Sequence, residues 1–277
     1  MIKDLVVNLG QQDARGPARD FAISIANAFG AHLAGVVFTL VPEFPGYIAP
    51  ALRPDILAKI RSHSETAAQA AIDRFDTASL QSEVSREHRT IQATQAEAPL
   101  VLAALARRFD LSVFMQSEPN VVDNDAMIET SLFQSGRPLM VVPYIQKEGL
   151  RLDRLVCCWD GSRAATRAIN DALPLLVKAA AVDLLIVLNE KTRGAENEIR
   201  GDEISRHLAR HDVRVQIEKT TAEDIDVGNA ILSYVADRSA SLIVMGGYGH
   251  SRLRELILGG VTRDMLNSMT VPVFMSH

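Results

Sequence analysis

Glycines at measured spacing make one loop of this chain the segment best equipped to hold an anion. Gly246-Gly247-Tyr248-Gly249-His250-Ser251-Arg252 follows the apolar run Ser241 to Met245, and Leu258-Gly259-Gly260-Val261-Thr262 follows the next helical stretch. In an open parallel sheet, ligands sit beyond the carboxyl ends of the strands. Glycines there let backbone N–H groups approach phosphate oxygens, and the following helix N-terminus adds its partial positive charge. Ser251, Thr262, Arg252 and Arg254 are further donors. His250, inside the loop, either touches phosphate or caps the helix. Arg252, Arg254 and Glu255 read equally as a steering patch or an ordinary charged face.

A second apolar run ends in Trp159-Asp160-Gly161-Ser162. A carboxylate at a strand tip is placed to accept from ribose hydroxyls or a base edge. Trp159 stacks on a base or, more commonly for a strand-end Trp, packs in the core. His207 and His211 have the i, i+4 spacing of metal ligands on a helix, but no third ligand accompanies them, so a solvated face is expected and no metal site is assigned. The two cysteines, Cys157 and Cys158, are adjacent within an apolar run and read as buried small hydrophobes.

The elements that must carry these residues come as a repeat. Asp4-Leu5-Val6-Val7-Asn8-Leu9 aligns with Arg154-Leu155-Val156-Cys157-Cys158-Trp159, and helical patterns follow at Pro17 to Phe29 and Arg163 to Ala179. Short apolar runs, Ala34 to Leu40 and Val182 to Leu188, then predict strands buried on both faces. Asp110 to Met115 matches Ser241 to Met245, and Arg137 to Val142 matches Thr270 to Met275. Helical stretches Ala98 to Phe109 and Val227 to Ser239 stand between them. Each half therefore reads as five alternating strands with helices between, which implies an open, mainly parallel five-stranded sheet flanked by helices. The expected domains are 1–146 and 151–277, joined by the polar Gln146 to Leu150 and packed as an intramolecular pseudo-dimer, with a homodimer also open.

The pattern Gly246-x2-Gly249-x9-Gly259, with a hydroxyl residue downstream, resembles the nucleotide-binding signature of the ATP-binding universal stress proteins, and Trp159-Asp160-Gly161-Ser162 is similar to that family's first-strand Asp motif. The resemblance implies two tandem Rossmann-like domains of the adenine nucleotide alpha hydrolase-like type. It implies that Asp160 addresses the adenosine, that Val187 lines the adenine pocket, and that Gly246, Gly249, Gly259 and Gly260, with Val261, Thr262 and His250 beside them, surround the phosphates of ATP, with or without Mg²⁺. Gly260 stands where the family ordinarily has Ser or Thr. In the first repeat Gln116-Ser117-Glu118-Pro119-Asn120 occupies the place of the loop and Asn8-Leu9-Gly10 that of the Asp tip, so no nucleotide is expected there.

Composition narrows the classes. A chain of 277 residues with 47% hydrophobic content can bury two ordinary cores. A formal charge of −5 argues against nucleic-acid binding. Its apolar stretches fall short of the roughly 20 residues that span a bilayer, and no signal segment is read at the start, so a cytoplasmic protein is expected. The loop lacks a P-loop Gly-Lys-Ser/Thr ending and does not continue into a dinucleotide GxGxxG, so no catalytic residue is assigned. The expected function is a stress-response module that binds an adenine nucleotide with little or no hydrolysis. A scaffold without nucleotide and a slow ATPase are the alternatives.

Overall fold

The computed structural model describes residues 1–11, 15–43, 54–188, 201–222, 226–247 and 260–277. The chain divides into two compact units, residues 2–137 and, together with Met1, residues 138–277.

The first unit runs β1 (Asp4–Asn8), α1 (Pro17–Phe29), β2 (His32–Val41), α2 (Pro54–Gln81), β3 (Arg86–Thr94), α3 (Ala98–Ala106), β4 (Leu111–Met115) and α4 (Asp125–Gln134). Its strands lie in the order β3-β2-β1-β4, and the pairs β1–β2, β1–β4 and β2–β3 are parallel. Leu5, Val6 and Val7 of β1 and all of β4 are buried, as continuous apolar runs require of strands covered on both faces. Gly35 of β2 is a packing position: a Cβ there would lie 2.9 Å from both Leu9 Cδ1 and Phe75 Cε1. The missing side chain seats the fully buried Phe75 and so fixes where α2 rests on the sheet.

The second unit runs β5 (Leu139–Val142), β6 (Arg154–Cys158), α5 (Arg163–Asp171), α6 (Leu173–Leu176), β7 (Ala181–Leu188), α7 (Gly201–Ala209), β8 (Val215–Thr221), α8 (Val227–Asp237), β9 (Leu242–Gly246), α9 (Val261–Ser268) and β10 (Val273–Ser276). Its sheet has the order β5-β10-β9-β6-β7-β8. Pairs from β10 to β8 are parallel, whereas β5 meets β10 antiparallel, with Val141 opposite Val273 and Leu139 opposite Met275. By sequence β5 ends the first repeat, and one of its edges pairs with the last strand of the second.

The fold class is α/β with mainly parallel sheets and flanking helices, five strands to each repeat. Two local readings differ. The single helix expected from Arg163 to Ala179 is two, because Pro174 cannot supply an N–H to the preceding turn; α5 stops at Asp171 and α6 begins at Leu173. His211 lies beyond the end of α7 rather than on it. Gly201 of α7 sits against β7 and β8, where a Cβ would come within 2.8 Å of Ile186 Cδ1.

Candidate functional site

Strand register in the second unit brings the predicted site residues to one end of the sheet. Cys158 is opposite Leu185 across β6–β7, and Cys157 is opposite Val244 across β6–β9. Asp160 stands two residues past the end of β6, and Val187 and Gly246 lie at the carboxyl ends of the neighbouring strands β7 and β9. The backbone N–H of Trp159 donates to Leu185 O at 2.9 Å, extending the ladder one residue past β6 and fixing the height at which Asp160 leaves the sheet.

The tip itself is built by an Asx turn. Ser162 N–H donates to Asp160 Oδ1 at 2.9 Å, Gly161 takes a positive φ of 77°, and Ser162 Oγ caps α5 by accepting from Ala165 N–H at 3.1 Å. Only a residue without a Cβ adopts that φ cheaply, so Gly161 turns the chain sharply enough for α5 to start beside the carboxylate. Asp160 is exposed, and among the described residues its Oδ2 carries no partner. The carboxylate is thus held in place through one oxygen and offers the other.

Val187 is half-buried near the end of β7, opposite Thr220 of β8. Gly246 ends β9, and its lack of a side chain has a structural cause: a Cβ would lie 2.5 Å from Ala165 N and 2.6 Å from Ala164 C. The start of α5 rests directly on the end of β9. Gly247 is also engaged, its N–H donating to Ser276 O at 2.9 Å and its carbonyl lying 2.9 Å from His277 Nδ1. Ser276, buried, donates from Oγ to Asp171 Oδ2 at 2.8 Å, tying the end of β10 to α5. These contacts aim the chain as it leaves Gly247.

Gly260 is the N-cap of α9 with φ −80° and ψ 158°, and its carbonyl accepts from Arg263 N–H at 2.9 Å and Asp264 N–H at 3.2 Å. Val261 and the buried Thr262 open the helix. A Cβ on Gly228 of α8 would lie 3.8 Å from Val261 O, so the first turns of α8 and α9 are neighbours. Asp226 caps α8 by accepting from Asn229 N–H at 2.9 Å, and that backbone hydrogen bond lowers its pKa below the usual aspartate value. Gly249, His250 and Gly259, with Ser251, Arg252 and Arg254, lie outside the described residues.

Other singled-out residues have structural partners. His207 Nε2 lies 3.1 Å from Asn170 Oδ1, joining α7 to α5, and its ring meets that of His211 edge-on at 4.8 Å. Cys157 is buried and Cys158 half-buried, both as free thiols. Trp159 is half-buried, and its indole Nε1, sealed from solvent, has no hydrogen-bond partner among the described residues.

Sequence reasoning passed over a buried ionic group at the opposite end of this sheet. Asp183 of β7, 1% exposed, accepts from Arg154 Nη1 at 2.7 and 2.9 Å and from Tyr234 Oη at 3.0 Å. An acid inside the run Val182 to Leu188 was the available signal, since a charge is buried only when paired.

Residues 151–277 match the model of the universal stress protein family. A universal stress protein of Synechocystis is 41% identical over 44 residues, and that match spans 16% of this chain and 15% of the relative's own length. A solved universal stress protein of Archaeoglobus fulgidus is similar with a TM-score of 0.71 at 13% identity, covering 99% of this chain and 95% of its own. A protein of Pseudomonas aeruginosa solved as a universal stress protein has a TM-score of 0.63 at 13% identity over 99% and 93% of the two chains. At these identities the structures establish the α/β fold, while the match over 151–277 establishes the relationship. The universal stress protein relationship is therefore shown for the second repeat, residues 151–277.

Proposed function

We propose that residues 151–277 form a regulatory module of the stress-response type that binds an adenine nucleotide, ATP in the first instance, with little or no hydrolysis. The observation that carries this reading is the Asp160 carboxylate just past the carboxyl end of β6, between the neighbouring strands β7 and β9, with one oxygen held by Ser162 N–H and the other without a partner among the described residues. In this reading Asp160 accepts from the ribose, Val187 lines the adenine side, and Gly246, Gly249, Gly259, Gly260 and Val261 surround the phosphates with His250 and Thr262 at the rim. Mg²⁺, where present, is held through the phosphates, since among the described residues no group of three His, Cys, Asp or Glu is placed to bind a metal. The antiparallel β5–β10 pairing, which couples a strand of the first repeat to the second, supports a pseudo-dimer of repeats in one chain. No helix among the described residues is long and apolar enough to cross a membrane, which fits a cytoplasmic role.

A scaffold that has lost nucleotide is the second reading. It is favoured by Gly246, whose lack of a side chain is accounted for by the start of α5, and by Gly247, whose backbone is engaged by Ser276 and His277, both without a ligand.

A thermal-shift titration of the full chain with ATP and Mg²⁺ separates the two, because a ligand that binds only the folded state raises the midpoint with concentration. The expected result is a rise that is reduced in Asp160→Ala and lost in Gly260→Asp, which adds a carboxylate at the helix start. No rise, together with no nucleotide released on denaturing the purified protein, leaves the scaffold.

A further inference from the structure

The two repeats finish their outer strands differently, and the difference leaves a groove open on the first. β3 is the edge strand of its sheet among the described residues. Leu33 N–H of β2 donates to Ser85 O at 2.9 Å, which sets the alternation of the parallel ladder. Glu87, Arg89 and Ile91 therefore bond inward to β2, while Arg86, His88, Thr90 and Gln92 turn backbone N–H and C=O to the open edge. Side chains alternate as well. Arg86 and His88 lean to Asp76 of α2 at 3.4 and 3.2 Å, so Glu87, Arg89 and Ile91 lie on the opposite face, beside α3.

A groove of ≈ 710 Å³ runs between β3 and α3 on that face, lined by Ile91, Val101, Ala104 and Leu105 and by Arg89 and Arg108. The neighbouring Leu100 is 52% exposed, so apolar surface continues onto the rim. Arg108 is exposed just past the end of α3. Arg89 pairs with Glu87 of its own strand at 2.6 and 3.0 Å; with both side chains open to water, that pair is weak enough for a second carboxylate to share the guanidinium.

The second repeat closes the same place with its own side chains. Asn8 pairs with Val36 and Val36 with Arg89; Cys158 pairs with Leu185 and Leu185 with Glu218, so Arg89 holds the position of Glu218. Asp110 N–H donates to Asp4 O as Ser241 N–H does to Arg154 O, and counting back from these residues matches Ala103 and Arg107 to Tyr234 and Arg238. Arg238 reaches Glu218 at 2.7 Å and stacks over the Tyr234 ring at 5.4 Å, which joins α8 to β8. In the first repeat the ring is an alanine, Arg107 turns away to Gln134 O at 3.1 Å, and a base replaces the acid. α3 carries no acid for Arg89 and Arg108, so electrostatic complementarity selects an acidic occupant.

We propose that this groove is a docking site for an extended acidic peptide segment of a partner protein, which adds a strand to the open edge of β3. Alternate apolar side chains of the segment rest on Ile91, Val101 and Leu105, and a carboxylate meets Arg89 and Arg108. The outward backbone groups of Arg86, His88, Thr90 and Gln92 supply the hydrogen bonds of strand addition, and the groove supplies the sequence preference. The site is independent of the nucleotide reading of the second repeat.

Selection of random displayed peptides on the immobilised full chain tests it. Enriched peptides should combine Asp or Glu with alternating Val, Ile or Leu. Their labelled synthetic forms, followed by fluorescence anisotropy, should bind Thr90→Pro about tenfold more weakly than the wild type. That ring removes an outward N–H and spares the ladder to β2. The exposed Arg89→Glu, which keeps the backbone intact, should lose the acidic peptides by a similar factor, and selection repeated on it should enrich Lys or Arg instead. No enrichment, enrichment without acids, or binding indifferent to both substitutions overturns the proposal. So does a concentration-dependent dimer of the peptide-free chain that Thr90→Pro dissolves, which would give the edge to a second copy.

Discussion

Arg154 and Asp183 meet across neighbouring strands β6 and β7, with one guanidinium nitrogen 2.7 and 2.9 Å from the two carboxylate oxygens. Asp183 is 1% exposed while the Arg154 side chain is 31% exposed, so the acid sits in the interior and the base reaches it from the rim. Removing one partner of a buried pair is more damaging than replacing both. Arg154→Met is expected to destabilise by about 2–3 kcal/mol, toward the lower end of the buried-pair range because Arg154 is partly solvated. Arg154→Met with Asp183→Leu should recover most of that loss. Chemical denaturation of the three proteins checks both statements, and equal losses in the single and double variants would contradict them.

Burial, together with the same carboxylate, sets the pH response of Tyr234. Burial, and then the hydrogen bond donated to Asp183, push the phenol up to about 12 from its usual value near 10. A folded-state pKa raised above the unfolded value contributes stability that is complete below pH 10 and is lost as pH rises through 12. The stability difference between the wild type and Tyr234→Phe should therefore be constant at neutral pH and shrink across that window. Urea denaturation midpoints at pH 7, 10 and 11.5 would show it.

Thiol reactivity offers a test of the core around β6. Burial raises the Cys157 thiol far above its ordinary range, and burial followed by the charge of Asp160 pushes Cys158 up to about 12. At pH 8 the folded protein then holds almost no thiolate, the reactive form. Both cysteines should modify slowly with a disulfide reagent and rapidly in denaturant. The Asp160→Ala variant should speed Cys158 modestly and leave Cys157 unchanged.

Residue pattern exposed the strands readily because each is a short apolar run between polar loops, and β1, β4, β6 and β9 fall within a residue or two of the expected bounds. Partnership between strands was less visible. Leu139 to Val142 reads as the end of the first repeat, and nothing in four buried apolar residues states that β10 is its neighbour. The site divides in the same way. Asp160 announces itself because an acid at a strand tip breaks an apolar pattern. The engagement of Gly247 by Ser276 does not, since nothing in the glycine motif states which strand its N–H meets.

Gly246 and Gly260 look equivalent in the sequence motif, yet one ends a strand under a helix start and the other caps a helix. At Gly246 a Cβ would lie 2.5 Å from backbone Ala165 N, and neither strand nor helix start is able to yield cheaply. Gly246→Ala should destabilise by about 1–3 kcal/mol, the usual scale of overpacking. Gly260 has extended backbone angles open to any residue, and as an N-cap, where alanine is poor, Gly260→Ala should cost roughly 0.5–1 kcal/mol. Gly260→Ser should instead be neutral or slightly stabilising, because it adds an N-cap hydroxyl to α9, which has no side-chain cap. If the second repeat binds ATP through the α9 start, Gly260→Ser should equal or strengthen that binding and Gly246→Ala should weaken it only in proportion to lost stability. Thermal midpoints with and without ATP and Mg²⁺ measure both. A large loss of affinity in Gly246→Ala at unchanged stability would mean that this glycine is kept for ligand and not for α5.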